Sequence, residues 1–137
     1  MVLKKFFSTK SVNGLSASFG LLLLRGASCA MMLTHGLNKV SNFEVMSKNF
    51  NPIGIGGNLS LSLVIFAEVF CSIALLLGLF TRLATFPLMI AMGVASLVYH
   101  AEGSFADKEL ALLYLTVYVF ILIVGPGRYS VDRFLWK

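Results

Sequence analysis

The sequence predicts an all-α integral membrane protein, a four-helix bundle forming a single membrane domain over residues 1–137, with both termini on the cytoplasmic side. Three observations carry this expectation. Hydrophobic residues make up 58% of the chain and charged residues only 12%, against about a quarter charged in soluble domains. The mean hydropathy is +0.87, and a chain of this length leaves roughly a third of its unfolded surface exposed after folding. Too few polar residues are present to cover that surface, so lipid must cover part of it. Finally, the apolar residues fall into four runs, two of full spanning length and two shorter ones whose flanking residues can lie at the interface, and the basic residues sit mainly at the ends of those runs.

The first run, about Leu15 to Val40, is broken by Arg25 and His35. A helix rising 1.5 Å per residue needs about 20 residues to cross about 30 Å of hydrocarbon, and this run is long enough. Lys4, Lys5 and Lys10 precede it, and Gly26-Ala27-Ser28-Cys29 loosely resembles a lipoprotein cleavage site. Arg25 interrupts the apolar core of that would-be signal, so an uncleaved helix over about 15–40 is expected. Residues 41–58 read as a long outer loop containing Asn51-Pro52-Ile53-Gly54-Ile55-Gly56-Gly57. This glycine-rich stretch follows no strand and reads as a flexible turn rather than a phosphate loop.

The second run, Leu59 to Leu79, contains Glu68 as its one ionisable residue and predicts a helix over about 59–79. Phe80-Thr81-Arg82 is then a tight hairpin into a third helix, about 82–100, with Pro87 near its start, where proline costs least. A second outer loop, 101–107, precedes a fourth helix over about 108–125. Gly125-Pro126-Gly127 ends that helix, because proline cannot continue it, and 126–137 is a cytoplasmic tail. No period-2 alternation suggests a β-barrel. Counted at the helix ends, Lys4, Lys5, Lys10, Arg82, Arg128, Arg133 and Lys137 lie on one side and Lys39, Lys48 and Lys108 on the other. Seven against three places both termini inside.

The net charge of +5 therefore reads as a topology signal. No basic patch is interleaved with aromatics, so nucleic acid is not an expected partner; the bilayer is. Cys29 and Cys71 both lie inside apolar runs and form no metal-ligand spacing, so they read as small packing residues and no metal is expected.

The ionisable residues inside the runs are the candidate site. A charge at the centre of a membrane helix costs roughly 2.5–3.5 kcal/mol on insertion scales, so such residues face the bundle interior and pair. Arg25 and Glu68 each lie near the middle of their helix, with an axial offset of about 5 Å. They are expected to form an ion pair, either as a structural lock or as a polar anchor beneath a ligand cavity. Arg25, Ser28, Met32, His35 and Lys39 recur at spacings of 3 and 4 and share one face of the first helix. Met89, Gly93, Ser96 and His100 do the same on the third, and Tyr114 could add a hydroxyl. Arg25, His35, Lys39, Glu68, His100 and Tyr114 are thus the candidate ligand-binding residues.

Three chemistries fit this cluster. A quinone or similar apolar ring could sit between helices, its carbonyls taking hydrogen bonds from His35, His100, Arg25 or a tyrosine. A b-type haem could use His35 and His100 as axial ligands, although both lie near helix ends. Glu68 and the histidines could also line a proton or solute path, against which the lack of a broken central helix or repeat argues. With no evident electron carrier of its own, the chain would need a bound cofactor or a redox partner.

The stretches Leu23-Leu24-Arg25-Gly26, His35-Gly36-Leu37-Asn38-Lys39, Phe50-Asn51-Pro52-Ile53-Gly54, Glu68, Leu77-Gly78-Leu79-Phe80-Thr81-Arg82-Leu83-Ala84, His100 and Gly125-Pro126-Gly127-Arg128-Tyr129-Ser130-Val131-Asp132 together resemble the DoxX family of small bacterial membrane proteins, from about residue 20 to the end. The resemblance implies a four-helix protein of the bacterial cytoplasmic membrane. Some relatives are subunits of thiosulfate:quinone oxidoreductase, and others are linked to quinone detoxification or oxidative-stress complexes. It also implies membrane or peripheral redox proteins as partners, though fold transfers within such a family better than activity. Arg25, His35, Lys39, Glu68, Arg82 and His100 match its polar positions. The leading expectation is a quinone-binding membrane subunit of a redox-linked complex. The alternatives are an accessory subunit whose polar residues only hold helices together, and a proton or small-solute carrier.

Overall fold

The computed structural model describes residues 14–136, which are helical and contain no strand. Lys4, Lys5, Lys10 and Lys137, which carry part of the charge asymmetry, lie outside the described residues.

Helix α1 is Leu15–Ser41 and runs unbroken through Gly26-Ala27-Ser28-Cys29. Its buried side chains are Ser18, Leu21, Arg25, Ser28, Cys29, Met32 and Gly36, a single stripe at helical spacing. The opposite face exposes Phe19, Leu23, Met31 and Leu37. The protein is thus apolar outside and small or polar inside, which is stable only against hydrocarbon. A short helix α2, Phe43–Ser47, follows in the connection read as an irregular loop.

Helix α3 is Gly57–Leu77. Its middle, Phe66–Cys71, is a π-helical turn carrying Glu68. A π turn admits an extra residue and re-aims the side chains around it. Helix α4 is Thr81–Tyr99 and closes on a second π turn, Ala95–Tyr99, where the His100 amide donates to the Ala95 carbonyl at 3.0 Å. Pro87 sits in the second turn of α4 rather than at its start. Helix α5, Phe105–Val124, opens on a capping box in which the Asp107 carboxylate accepts from the Ser104 amide at 2.9 Å. The tail ends in α6, Val131–Leu135.

α1, α3 and α4 are long and apolar enough to cross a membrane. α5 has comparable length, with Asp107, Lys108 and Glu109 gathered near its start. α4 packs along α5, and α1 packs along α3.

At one end of the helices the tail folds back and fastens them together. α3 stops in a Schellman motif: the Leu79 amide donates to the Ala74 carbonyl (2.8 Å) and the Gly78 amide to the Leu75 carbonyl (3.0 Å). The adjoining amides of Phe80 and Thr81 open α4 and have no partner within it. Asp132 supplies one from 50 residues away: its carboxylate accepts from Phe80 N at 2.6 Å and Thr81 N at 2.8 Å. Its own amide donates to the Gly78 carbonyl at 2.9 Å. Arg25 donates from Nη1 to the Pro126 carbonyl at 2.5 Å and from Nη2 to the Tyr129 carbonyl. The Arg82 guanidinium lies against Gly125. The separate sequence blocks around Arg25, Gly78–Arg82 and Gly125–Asp132 therefore meet as one clasp.

Gly78 is the tightest point of that clasp. It holds φ +71°, and a Cβ added there would lie 2.5 Å from Ser130 Cβ and 2.8 Å from Ser130 Cα. Left-handed backbone costs a non-glycine residue about 1–2 kcal/mol and overpacking adds about 1–3. Gly78→Ala should lower stability by about 2–4 kcal/mol in detergent unfolding. Gly20→Ala in the same bundle meets nothing within 4 Å and should be neutral or stabilising by up to about 1 kcal/mol. Equal behaviour of the two variants would show that the clasp is not tightly closed.

Candidate functional site

The other end of the helices holds the polar cluster. Gly36 lets α1 and α3 touch there: a Cβ on it would come within 2.7 Å of Val69 Cγ2 and 3.0 Å of Glu68 Cβ. This approach, typical of small residues in membrane helix contacts, brings Glu68 to the level of Lys39 one turn further on. Lys39 Nζ and Glu68 Oε2 are 2.7 Å apart, with Glu68 3% exposed and Lys39 18%. The carboxylate is thus inside and the ammonium reaches in from the rim.

The expected Arg25–Glu68 ion pair is not formed. Arg25 is buried in the clasp with carbonyl partners. It lies about 21 Å along α1 from Lys39. The midpoint argument fails because α1 and α3 do not start level. Antiparallel packing sets Gly36 against Glu68 and Arg25 against Gly78, so Arg25 belongs to the end of the bundle rather than its middle. It lines no part of the cavity described next.

Two adjoining lobes open around the Lys39–Glu68 pair, of about 190 Å³ and 230 Å³, and both are walled by Lys39, Glu68, Ala95 and His100. The first also takes in His35, Tyr114 and Asp107, with Met32 and Met92 as apolar floor. The second takes in Phe50 and Tyr99. The His35 ring stands edge-on to Tyr114 with centroids 6.1 Å apart, and Tyr114 stacks on Tyr118 at 6.1 Å. His100 stands edge-on to Tyr99 at 4.8 Å, and Tyr99 meets Phe50 at 5.4 Å. Five of the six residues named from sequence, His35, Lys39, Glu68, His100 and Tyr114, therefore border one cavity.

The arrangement offers a buried carboxylate paired with a half-buried ammonium, two imidazoles, a phenol and aromatic walls at the rim of the bundle. Such a set can orient a flat ring bearing oxygen acceptors: Lys39, the imidazole N–H groups and the Tyr114 hydroxyl donate, and Phe50 and Tyr99 supply faces. No group of three His, Cys, Asp or Glu among the described residues is placed to hold a metal ion. Phe50 and Asp107 were not foreseen. Phe50 arrives from the connection after α2, where no periodicity marks it. Asp107 reads in sequence only as the last residue of the second outer loop. The π turns at Glu68 and beside His100 leave no periodic signature either, yet both border the cavity, as π turns often do at functional sites.

Relatives share this chain's length and pattern. It is 32% identical over 124 residues to an uncharacterized protein of Haemophilus influenzae, covering 85% of this chain and 91% of that one. It is 29% identical over 124 residues to the inner membrane protein YqjF of Escherichia coli, covering 86% and 93%. No solved structure matches significantly. The sequence pattern of the DoxX family matches residues 20–101, which include most of α1, all of α3 and α4, and every cavity residue except those on α5; the chain belongs to the DoxX family.

Proposed function

We propose that this protein is a multi-pass subunit of the bacterial inner membrane that binds the ring of a quinone, or a similar apolar ring, in the Lys39–Glu68 cavity and serves a redox-linked complex. Its location is carried by its three apolar helices and by the inner membrane protein YqjF, to which it is similar. α5 makes a fourth crossing, since the 15 residues from Leu110 to Val124 carry no charge and a tilted helix with its charged first turn at the interface spans a thin bilayer. The clasp end faces the cytoplasm. It holds Arg25, Arg82, Arg128 and Arg133, whereas the cavity end carries Glu44, Glu102, Asp107 and Glu109 beside its lysines.

One observation carries the ligand reading: an ion pair between helices whose carboxylate is buried, bordered by both histidines of the chain and by Tyr114, around open volume. Intramembrane ionisable groups are expensive, and where they enclose space rather than fill it they mark a site. The size of the lobes favours a single ring over a porphyrin between the histidines.

Purified protein, extracted with organic solvent and analysed by mass spectrometry, should yield quinone at about one molecule per chain and show no Soret absorption. His100→Leu and Tyr114→Phe should reduce that yield without loss of helix signal. Folded protein that carries no quinone, and takes up none when it is added, would overturn the reading and leave an accessory role for the subunit.

A further inference from the structure

We infer that the ligand is a tailed lipid, and that its hydrocarbon chain leaves the cavity sideways and lies in a groove on the lipid-facing side between α3 and α4. The inference rests on the ring-binding reading above and extends it to the class of molecule bound.

The groove begins where the cavity ends. A volume of about 310 Å³ shares Val64, Ala91 and Val94 with the Phe50–Tyr99 lobe, so three side chains form a common wall. It passes along the helices past Phe66, Pro87 and Ile90 into a second volume of about 420 Å³ that reaches Phe80 and Leu83. From Val94 to Leu83 the path covers about 16 Å of α4. Its floor is made of small side chains, Ala67, Cys71, Ala74, Ala84 and Ala91, and its rims of large ones, Phe66, Phe70, Phe86 and Ile90. Small residues on facing membrane helices ordinarily let the helices close up; here they leave a channel with raised edges. Pro87 contributes, since its ring occupies the position of a backbone hydrogen bond and loosens the helix.

Chemistry distinguishes the two parts. The cavity is lined by charge and hydrogen-bond donors, and the groove is apolar along both volumes apart from one group. That group is Ser60, 3% exposed, whose hydroxyl has no hydrogen-bond partner among the described residues and which lines the groove. A buried hydroxyl without a partner is costly, and an oxygen on a ligand lying in the groove would satisfy it. A polar head chamber set beside an apolar trough, the two sharing Val64, Ala91 and Val94, fits one amphipathic molecule better than two separate occupants. The groove also opens to the bilayer along its length, so such a ligand can enter from the membrane without crossing water.

A decylubiquinone carrying a photoreactive diazirine at the end of its tail tests this in nanodiscs. After illumination, saturable labelling should fall on residues 63–71 of α3 and 83–94 of α4, and should be competed by excess decylubiquinone and by the tailless ubiquinone headgroup. Ile90→Trp fills the groove from the lipid side; Ile90 is 65% exposed, so the fold has little reason to change. It should lower saturable labelling by about tenfold while leaving headgroup binding unaltered. Leu63→Trp on the opposite rim should do the same and guards against a folding defect peculiar to one variant. Saturable labelling elsewhere, on the lipid faces of α1 or α5, would overturn the groove while sparing the ring site. Groove labelling that excess quinone does not compete would mean that ordinary phospholipid chains occupy it, which also overturns the inference. No saturable labelling and no headgroup binding would instead sink the ring-binding reading itself.

Discussion

Arg25→Met should destabilise the protein by about 3–5 kcal/mol, the largest loss expected from any one side chain of the clasp. The guanidinium is fully buried and donates to the carbonyls of Pro126 and Tyr129. Those carbonyls belong to the Gly125–Ser130 turn, which has no helical ladder of its own to satisfy them. Methionine fills much of the same volume but leaves both acceptors buried and unpaired. It also removes a positive charge at the same end of the bundle as Asp132, whose carboxylate caps α4. Unfolding in detergent, followed by circular dichroism, measures the loss. Protease sensitivity at Arg128 should rise in parallel, because the tail is held to the helices through these contacts.

Arg25→Lys separates charge from geometry. Lysine keeps the charge but has no planar fork with which to reach two carbonyls at once, so it should recover only part of the loss. Asp132→Asn should weaken the cap of α4, and the double variant should be less destabilised than the sum of the two single changes by about 0.5–3 kcal/mol, as coupled neighbours are. Strict additivity would show that Arg25 and Asp132 serve the turn independently. A methionine variant within about 1 kcal/mol of the parent would mean that water reaches these carbonyls and the clasp is open.

The helices were legible because their signal is local. Runs of apolar residues interrupted by single charges mark α1, α3 and α4 with no knowledge of their neighbours. The five-residue helices α2 and α6 were not, since neither is long enough to show a period. What the sequence could not convey was relative depth. Arg25 and Glu68 each sit near a helix midpoint, and only the contact of Gly36 with Glu68 reveals that α3 lies further along α1 than midpoints suggest. Lys39 was visible on the same stripe as His35, so the partner of Glu68 was present in the pattern under a different pairing. The clasp was beyond reach for another reason: Asp132 acts on amides about 50 residues distant, and no spacing rule links a tail carboxylate to the start of a remote helix. Resemblance to a family flagged those residues without explaining them, and the geometry shows that Arg25 and the Gly125–Asp132 block hold the fold, away from the cavity.

That division makes the second large effect diagnostic. Lys39→Met should cost about 3–5 kcal/mol, because it strands a carboxylate that is 3% exposed. Glu68→Leu should cost far less, since Lys39 stands at the rim, 18% exposed, and its long stem can carry the ammonium outward. The asymmetry follows from which partner is inside. The double variant Lys39→Met/Glu68→Leu should return to within about 1 kcal/mol of the parent or exceed it, because a buried pair replaced by apolar groups of similar size removes two desolvation costs along with one attraction. If stability alone had shaped this site, the apolar pair would serve as well. On the ring-binding proposal the pair is kept for a ligand, so the double variant should fold yet lose bound quinone. Detergent unfolding and solvent extraction on the same preparations give both readouts. A double variant as unstable as Lys39→Met would show that burial of Glu68 is not the source of the loss, and one that folds and still retains quinone would assign the pair to helix packing alone.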